Sequence, residues 1–530
     1  MPRRGVRWLG VMAAAVAVAA LTACGSGNSG SAVTATSAGG ATSSTPANNA
    51  ATSSTAATAV PRPASMNDWE ALWAKQRDAV VQRIKDNKWG PSADGKTLTG
   101  PDGFSLDLSK CPSGWSDTEG VSDTKIKIGH TMGLSGIYAN PTTAAGIGTM
   151  VDYYGSKGAY KDSTGKSRTV DYLTKDDAAD PARTPALTDE LLDSEKVFAH
   201  VTSASANTFK VYDKLNQRCV PNPVILSGHP AWGDPVSHPW TTGYQLAYST
   251  ESIMWGAFID QHLGEFPADR KVVVATLALD NDYGKVATDA LKAYLAGSAN
   301  ASRFDVVGEK VALAAPTITD PMTTLAAKKP DFFFVMVGGA QCPTTINEAA
   351  QNGMHQTTKY LFLPNICLPV GPTTKGAVGG DGMAADGWWV VNGSGIDIKD
   401  KSLRSDAFVA FARDQIKARG LDPDGTGDYN TGLGGGWLIA QLLQIAGTLP
   451  GGLTRSNFIL ASRTIDMTDP MLLEGMKLNA SGNKDPYLFE SAIFQKWSAA
   501  EQVWHNQGKP VDVSGVSKPC AWNPTAQICK

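Results

Sequence analysis

Apolar positions along the chain fall into three kinds of run, and each predicts a different element. The first is short. Val11 to Leu21 is mostly Ala and Val and follows Arg3, Arg4 and Arg7. It is too short to span a bilayer comfortably and fits a cleaved export signal. The second has helical spacing: Trp69, Leu72, Trp73, Val80 and Ile84 recur through Ser65 to Lys88, and Ser65 with Asp68 fits a capping box. One amphipathic helix is expected there. The third is strand-like. Lys271 to Leu279 (KVVVATLAL) and Asp331 to Val337 (DFFFVMV) are nearly all apolar, as strands buried on both faces of a parallel sheet are.

Shorter strand signals surround these. Lys125 to Ile128 runs into a Gly-rich loop, Gly129 to Gly136, and Asn140-Pro141 then opens a helix with Asn as N-cap and Pro at the first position. Asp180-Pro181 repeats that signal, and Val197 to Val201 and Pro223 to Ser227 read as further strands. Gly90 to Asp107 is turn-rich and predicts a hairpin. Strand and helix alternate over several hundred residues, which implies an α/β architecture, and from Val121 to Trp504 there is too much chain for one sheet of ordinary size. Two lobes are expected. Ligands bind outside the carboxyl ends of α/β strands, so two lobes facing each other form a cleft.

Composition and charge narrow the function. A net charge of −3 argues against a nucleic-acid partner. Gly25 to Pro61 is Ser, Thr, Ala and Gly with almost no charge, and it reads as a flexible tether. Just before it, Leu21-Thr22-Ala23-Cys24-Gly25 resembles the bacterial lipobox, in which the Cys becomes the first mature residue and carries lipid. The alternative is a soluble secreted chain with a chance Cys. Removing Cys24 from the seven cysteines leaves an even number, which outside the cytoplasm reads as disulfides. Spacing favours Cys520–Cys529 and Cys342–Cys367, and Cys111–Cys219 follows by elimination. No CxxC occurs and the seven His are scattered, so no metal or cofactor is implied.

Motif matches for catalysis are weak. Gly90 to Thr97 satisfies GxxxxGK[ST], but a phosphate-binding loop needs a strand before it and a long helix after it, and Thr97 to Pro101 cannot start one. It reads as a turn. Asp422 to Asp428 has the flavour of a calcium loop but lacks a bidentate Glu at the proper distance. No GxSxG or HExxH occurs.

Several segments in order resemble one family. Ile126 to Gly129 with Gly133-Leu-Ser-Gly136 looks like the opening of the type I periplasmic binding proteins. Lys175-Asp-Asp177 with Asp180-Pro181 resembles that family's second strand, and Val197-Phe-Ala199 with Thr202 to Ser205 its third strand and serine-bearing loop. Leu279 to Gly284 resembles the first strand end of its second lobe, and Asp331 to Gly339 a further strand. The nearest resemblance is to leucine/isoleucine/valine-binding proteins and their amide- and aromatic-acid-binding cousins.

The resemblance implies a two-lobed type I fold, each lobe a mainly parallel sheet flanked by helices, with the ligand between them. The resemblance covers about Val121 to Trp504 and implies a first lobe at 121–246 and 376–480 and a second at 247–375 and 481–505; outside it, composition and pattern give a signal peptide at 1–23, the tether at 24–64, an accessory extension at 65–120 and a tail at 506–530.

It also implies site residues. Ser203 and Ser205 would hold a ligand carboxylate, or else serve as N-caps. Ser227, His229 and Ala231 fall in a second carboxylate-binding loop, where His229 reads more readily as a hydrogen-bonded loop residue than as a ligand contact and Trp232 could equally pack on a neighbour. Tyr283 matches an aromatic residue that closes over the ligand, and Tyr138 is a further wall. Gln341 falls where amino-acid binders often carry an aromatic residue. Asn365 falls where they place an acid that pairs with ammonium, and Asn offers no such pairing. Trp388-Trp389 reads as core.

The implied role is that of a lipid-anchored substrate-binding protein, a non-enzyme and a monomer, which hands a small molecule to the permease of an ABC importer in the membrane. A sensor on the same fold that reports to a membrane receptor is the first alternative, and an envelope α/β enzyme the second.

Overall fold

The nearly uninterrupted apolar runs become the central strands of two separate sheets, as burial on both faces requires. The computed structural model describes residues 61–136, 139–393, 395–425, 427–515, 517–523, 525–526 and 528–529. The expected signal peptide, Cys24 and nearly all of the tether lie outside the described residues.

Ahead of the sheets come the helix Met66–Asp86 and a small antiparallel sheet of β1 (Gly90–Pro91), β2 (Thr97–Thr99) and β3 (Ser105–Asp107). Ser65 caps the helix by accepting from the Asp68 amide. Its apolar stripe does not merely rest on the rest of the protein. Trp73 meets Trp437 at 5.5 Å and Phe408 at 6.2 Å between ring centroids, and these residues share one continuous core. Arg62 adds a two-bond ion pair to Asp406, at 2.7 and 3.0 Å. The expected accessory is therefore a structural part of the first lobe. The GxxxxGK[ST] match spans β1, its turn and β2.

The first lobe holds a six-stranded sheet in the order β5-β6-β4-β7-β8-β9, where β4 is Lys125–Met132, β5 Tyr160–Lys161, β6 Ser167–Asp176, β7 Ala199–Ser203, β8 Asn222–Leu226 and β9 Thr241–Gly243. All its pairings are parallel except that of β5. The helix Pro141–Ser156 lies against the helix Tyr429–Thr448, and their backbones approach so closely that a Cβ on Gly432 would sit 2.1 Å from the Thr143 carbonyl oxygen. Asp180-Pro181 does not open a helix; that helix, Thr184–Asp189, begins after a turn in which the Asp180 carboxylate accepts from the Ala182 amide.

The second lobe holds β10 (Val272–Leu279), β11 (Phe304–Val311), β12 (Phe332–Met336), β13 (Tyr360–Leu363) and β14 (Trp389–Asn392). After a ribbon of β15 (Asp466–Met467) and β16 (Leu478–Asn479), the strands β17 (Ser491–Ser498), β18 (Val503–Asn506) and β19 (Val511–Asp512) complete an eight-stranded sheet, β11-β10-β12-β13-β14-β17-β18 with β19 on β17. A hairpin of β20 (Trp522–Asn523) and β21 (Ile528–Cys529) ends the chain.

Two expected boundaries move. The first lobe does not resume at 376, because β14 pairs with β13 and packs Trp388 and Val391 into the second core. It resumes past Asn392, with Ile396 and Ile398 in the first core. The second lobe does not resume at 481, because Leu488 and Phe489 still belong to the first core and Ala492 is the next residue of the second. The chain thus crosses between lobes three times, near 244–248, 393–396 and 489–491.

Disulfides join Cys111 to Cys219, Cys342 to Cys367 and Cys520 to Cys529. The first ties the extension to the first lobe. The last closes the terminal hairpin, which reaches the first lobe through the Cys520 amide and the Gly233 carbonyl.

Candidate functional site

Parallel strands deliver their following loops to one edge, and in the first lobe that edge faces the crossings. Asp176, at the end of β6, gathers two of these loops. Its carboxylate accepts from the Ser135 hydroxyl at 2.6 Å and from the amides of Leu134 and Ala178, and these bonds hold it down to about 2. Just beyond, Ala178 and Ala179 take φ of 54° and 56°, and Ala204, between Ser203 and Ser205, takes 62°. Residues with a Cβ seldom adopt this region, and such strain gathers at functional loops.

Ser203 ends β7 and is half-buried. Its hydroxyl oxygen lies 2.8 Å from His130 Nε2, and His130 Nδ1 lies 2.5 Å from the Tyr172 hydroxyl. The three residues sit on the neighbouring strands β7, β4 and β6. His130 is wholly buried, and burial pushes it down to about 3, so it is neutral at physiological pH.

Ser205 and Ser227 meet differently. Both are buried, their hydroxyls 2.6 Å apart, and beside them Tyr248 donates its amide to the Gly228 carbonyl at 2.7 Å. Tyr248 opens the first helix of the second lobe, Tyr248–His262, so this cluster bridges the lobes. Its ring lies 4.4 Å from that of Tyr283. Burial raises Glu251, one turn along the same helix, to about 8, while its carboxyl accepts from the Asn365 amide at 2.7 Å. The Asn365 side-chain oxygen in turn accepts from the Gly393 amide at 3.0 Å, inside the second crossing. A cavity of only about 20 Å³, which all three crossings line through Leu246, Gly393 and Phe489, sits beside Asn365.

The other expected site residues are placed elsewhere. Ala231 is fully buried, and its carbonyl accepts from the Tyr212 hydroxyl. His229 is buried too. Its Nδ1 accepts from the Ala231 amide, and its ring stands edge-on to Phe209 and to Trp522 of the terminal hairpin. Trp232 packs on Phe209 and Tyr212. These form an aromatic cluster capped by the tail. Gln341 turns its amide onto the carbonyls of Ala312 and Leu313, joining two loops of the second lobe. Tyr283 is buried against Tyr248, and its hydroxyl has no hydrogen-bond partner among the described residues. Tyr138 lies outside the described residues. The structure thus brings Ser205, Ser227, Tyr283 and Asn365 into one interlobe chain, leaves Ser203 at its margin, and separates Ala231, His229 and Gln341 from it.

Sequence reasoning missed His130, Tyr172, Tyr248 and Glu251. His130 carried a signal: with Thr131 it places polar side chains between the apolar Ile128 and Met132 of β4.

A family model described as "periplasmic binding protein" matches residues 125–488. The chain belongs to the periplasmic binding proteins. This is a family of solute binders rather than catalysts, and the extension and the tail of this periplasmic binding protein lie outside the matched span. Solved structures share its fold. A fatty acid ABC transporter substrate-binding protein from Thermomonospora curvata is 18% identical, with a TM-score of 0.58 over 76% of this chain and 95% of that one. A branched chain amino acid ABC transporter protein from Thermus thermophilus with bound valine is 10% identical, with a TM-score of 0.59 over 74% and 97%. A solute-binding protein from Rhodopseudomonas palustris BisB5 in complex with 3,4-dihydroxybenzoic acid is 20% identical, with a TM-score of 0.56 over 74% and 98%. No curated protein sequence matches the chain. Among the described residues, no helix is long and apolar enough to cross a membrane, and no group of side chains could hold a metal ion.

Proposed function

We propose that this protein captures a small carboxylate- or amide-bearing solute between its lobes and delivers it to the permease of an ABC importer, while lipid on Cys24 holds it at the outer face of the cytoplasmic membrane. The observation that carries the reading is the partly exposed Ser203 at a strand end, set beside Ala204 with its positive φ of 62°. Relatives whose solutes are named hold carboxylates, among them valine and 3,4-dihydroxybenzoic acid. An amino acid would also need a partner for its ammonium. Asn365 carries no charge, and its side chain is engaged with Gly393, which favours a carboxylate without an ammonium group. Closure needs only that the solute bind the closed form better than the open one.

Thermal-shift measurements against leucine, valine, benzoate, 4-hydroxybenzoate, octanoate and their amides test this. A true solute at about a hundredfold its Kd stabilises the fold by about 2.7 kcal/mol. Stabilisation by a carboxylate, lost in Ser203→Ala, is the expected result. Failure of every carboxylate and amide to stabilise would sink the reading. Cys24→Ala should move the protein from the membrane fraction to the soluble one, and unchanged membrane association would refute the anchor.

A further inference from the structure

The tail lies beyond the matched family span, yet its described residues hold both lobes. Its first part is rooted on the second lobe. Strand β19 pairs with β17, and the Val513 amide donates to the Glu490 carbonyl at 2.8 Å. The Glu490 carboxyl, in the third crossing, accepts from the amides of Gly515 at 2.8 Å and Ser517 at 3.3 Å. The Ser517 hydroxyl meets that of Thr250, on the first helix of the second lobe, at 2.7 Å in a buried contact. The second part is seated on the first lobe. The Cys520 amide donates to the Gly233 carbonyl at 2.8 Å, and the Trp522 ring lies 6.1 Å from Phe209 and 4.5 Å from His229. Trp522 also packs against the second core, so it is wedged between the lobes.

The link between root and head has almost no slack. Only Lys518 and Pro519 separate Ser517 from Cys520, and three residue steps reach about 11 Å at full extension. Pro519 stiffens the link further by fixing its own φ. A rotation of the lobes that draws Thr250 away from Gly233 must therefore release one end. The root is held by a strand pairing, three hydrogen bonds to Glu490 and one to Thr250. The head rests on one backbone bond and a partly exposed indole, so the head gives way.

The seat favours release rather than permanent docking. His229 Nε2, on the buried ring that Trp522 meets, has no hydrogen-bond partner among the described residues. A polar atom left unpaired in the docked state offsets part of what the indole gains. The Cys520–Cys529 bridge keeps the hairpin closed when it is off its seat, so reseating does not require the hairpin to form anew. We infer that the terminal hairpin is a reversible latch: seated, with Trp522 between the lobes, it fixes the angle between them, and the lobes change angle only when it leaves Phe209 and His229. The inference concerns lobe motion and goes beyond solute capture, so it stands or falls without any solute.

Spin labels on the two lobes test it. Lys417→Cys and Lys292→Cys place them on exposed positions of a first-lobe and a second-lobe helix, and Cys24→Ala removes the one cysteine outside the three disulfides. Electron–electron resonance on this solute-free protein should give one narrow interlobe distance. In Trp522→Ala, and in a chain ended after Ser517, the population at other distances should rise about tenfold. An unchanged distribution in either folded variant overturns the inference. Hydrogen exchange on the unaltered chain decides the matter even if both variants misfold. Peptides carrying the Cys520 amide should exchange at least about tenfold faster than those carrying the Val513 and Gly515 amides, because the head opens while the root stays paired. Equal protection of head and root would show a fixed strap and refute the latch.

Discussion

Ser203 and Ser205 are two residues apart on one loop and end in opposite circumstances. Ser205 is consumed by the chain itself, its hydroxyl paired with that of Ser227 in a buried cluster beside Tyr248 of the other lobe. Ser203 is held by His130 and stays partly exposed. Gly228 makes the first arrangement possible. A Cβ there would meet the Leu246 carbonyl oxygen at 2.4 Å and the Tyr248 ring at 2.7 Å, so only glycine lets the lobes meet at this point. The difference teaches that a hydroxyl at a strand end is not yet a solute contact. What decides is whether the opposite lobe sends a side chain to use it.

The closed side of this comparison should respond to pH. Glu251, joined to Asn365 behind Tyr248 and Tyr283, is raised to about 8 by burial. The folded state therefore holds a proton that the unfolded chain loses above its ordinary value near 4.5. A folded pKa raised in this way makes stability greatest below the unfolded value, and stability falls as pH rises through about 8. Asp469 and Glu490, also raised by burial, act in the same sense, so the measurement is a difference. In urea unfolding across that range, Glu251→Gln should remove a slope amounting to a few kcal/mol. Equal slopes in the two proteins would mean that this helix start is not sealed. Next in size is Gly228→Ala, expected to cost about 2 kcal/mol or more, because backbone and ring must both retreat. A cost below about 0.5 kcal/mol would show that Tyr248 does not press on this loop.

How much of this was legible follows the range of the interactions involved. Lys271 to Leu279 could be read as a two-face-buried strand because its pattern is local, and β10 covers Val272–Leu279. The serine-bearing loop was legible through its spacing in the family. Tyr248 was not, since it reaches Ser205 and Ser227 from the other lobe and nothing around Ala247-Tyr248 marks that destination. Trp69 and Trp73 announced a helix but not Trp437 and Phe408, more than three hundred residues on, which turn the extension into core. His229 looked like a cleft residue because the terminal hairpin that covers it, through Trp522, has no counterpart in the matched family span. Strand β14 was misassigned because an apolar run names a strand without naming its sheet.

The smallest expected effects discriminate best. Ser205→Ala and Ser227→Ala should each cost about 1 kcal/mol of stability, since each leaves a buried hydroxyl short of a partner. Their double variant should lose less than the sum, because the two share one bond. Ser203→Ala should cost well under about 1 kcal/mol, as solvent can replace its hydroxyl on His130. Affinity for a carboxylate solute should invert this order, falling about tenfold for Ser203→Ala and hardly at all for Ser205→Ala. Urea unfolding and solute titration on the same proteins give both numbers. If Ser205→Ala weakened the solute as much as Ser203→Ala, Tyr248 would have to leave the serines when solute enters. The cluster described as closed would then be the resting form of a single site that both serines serve.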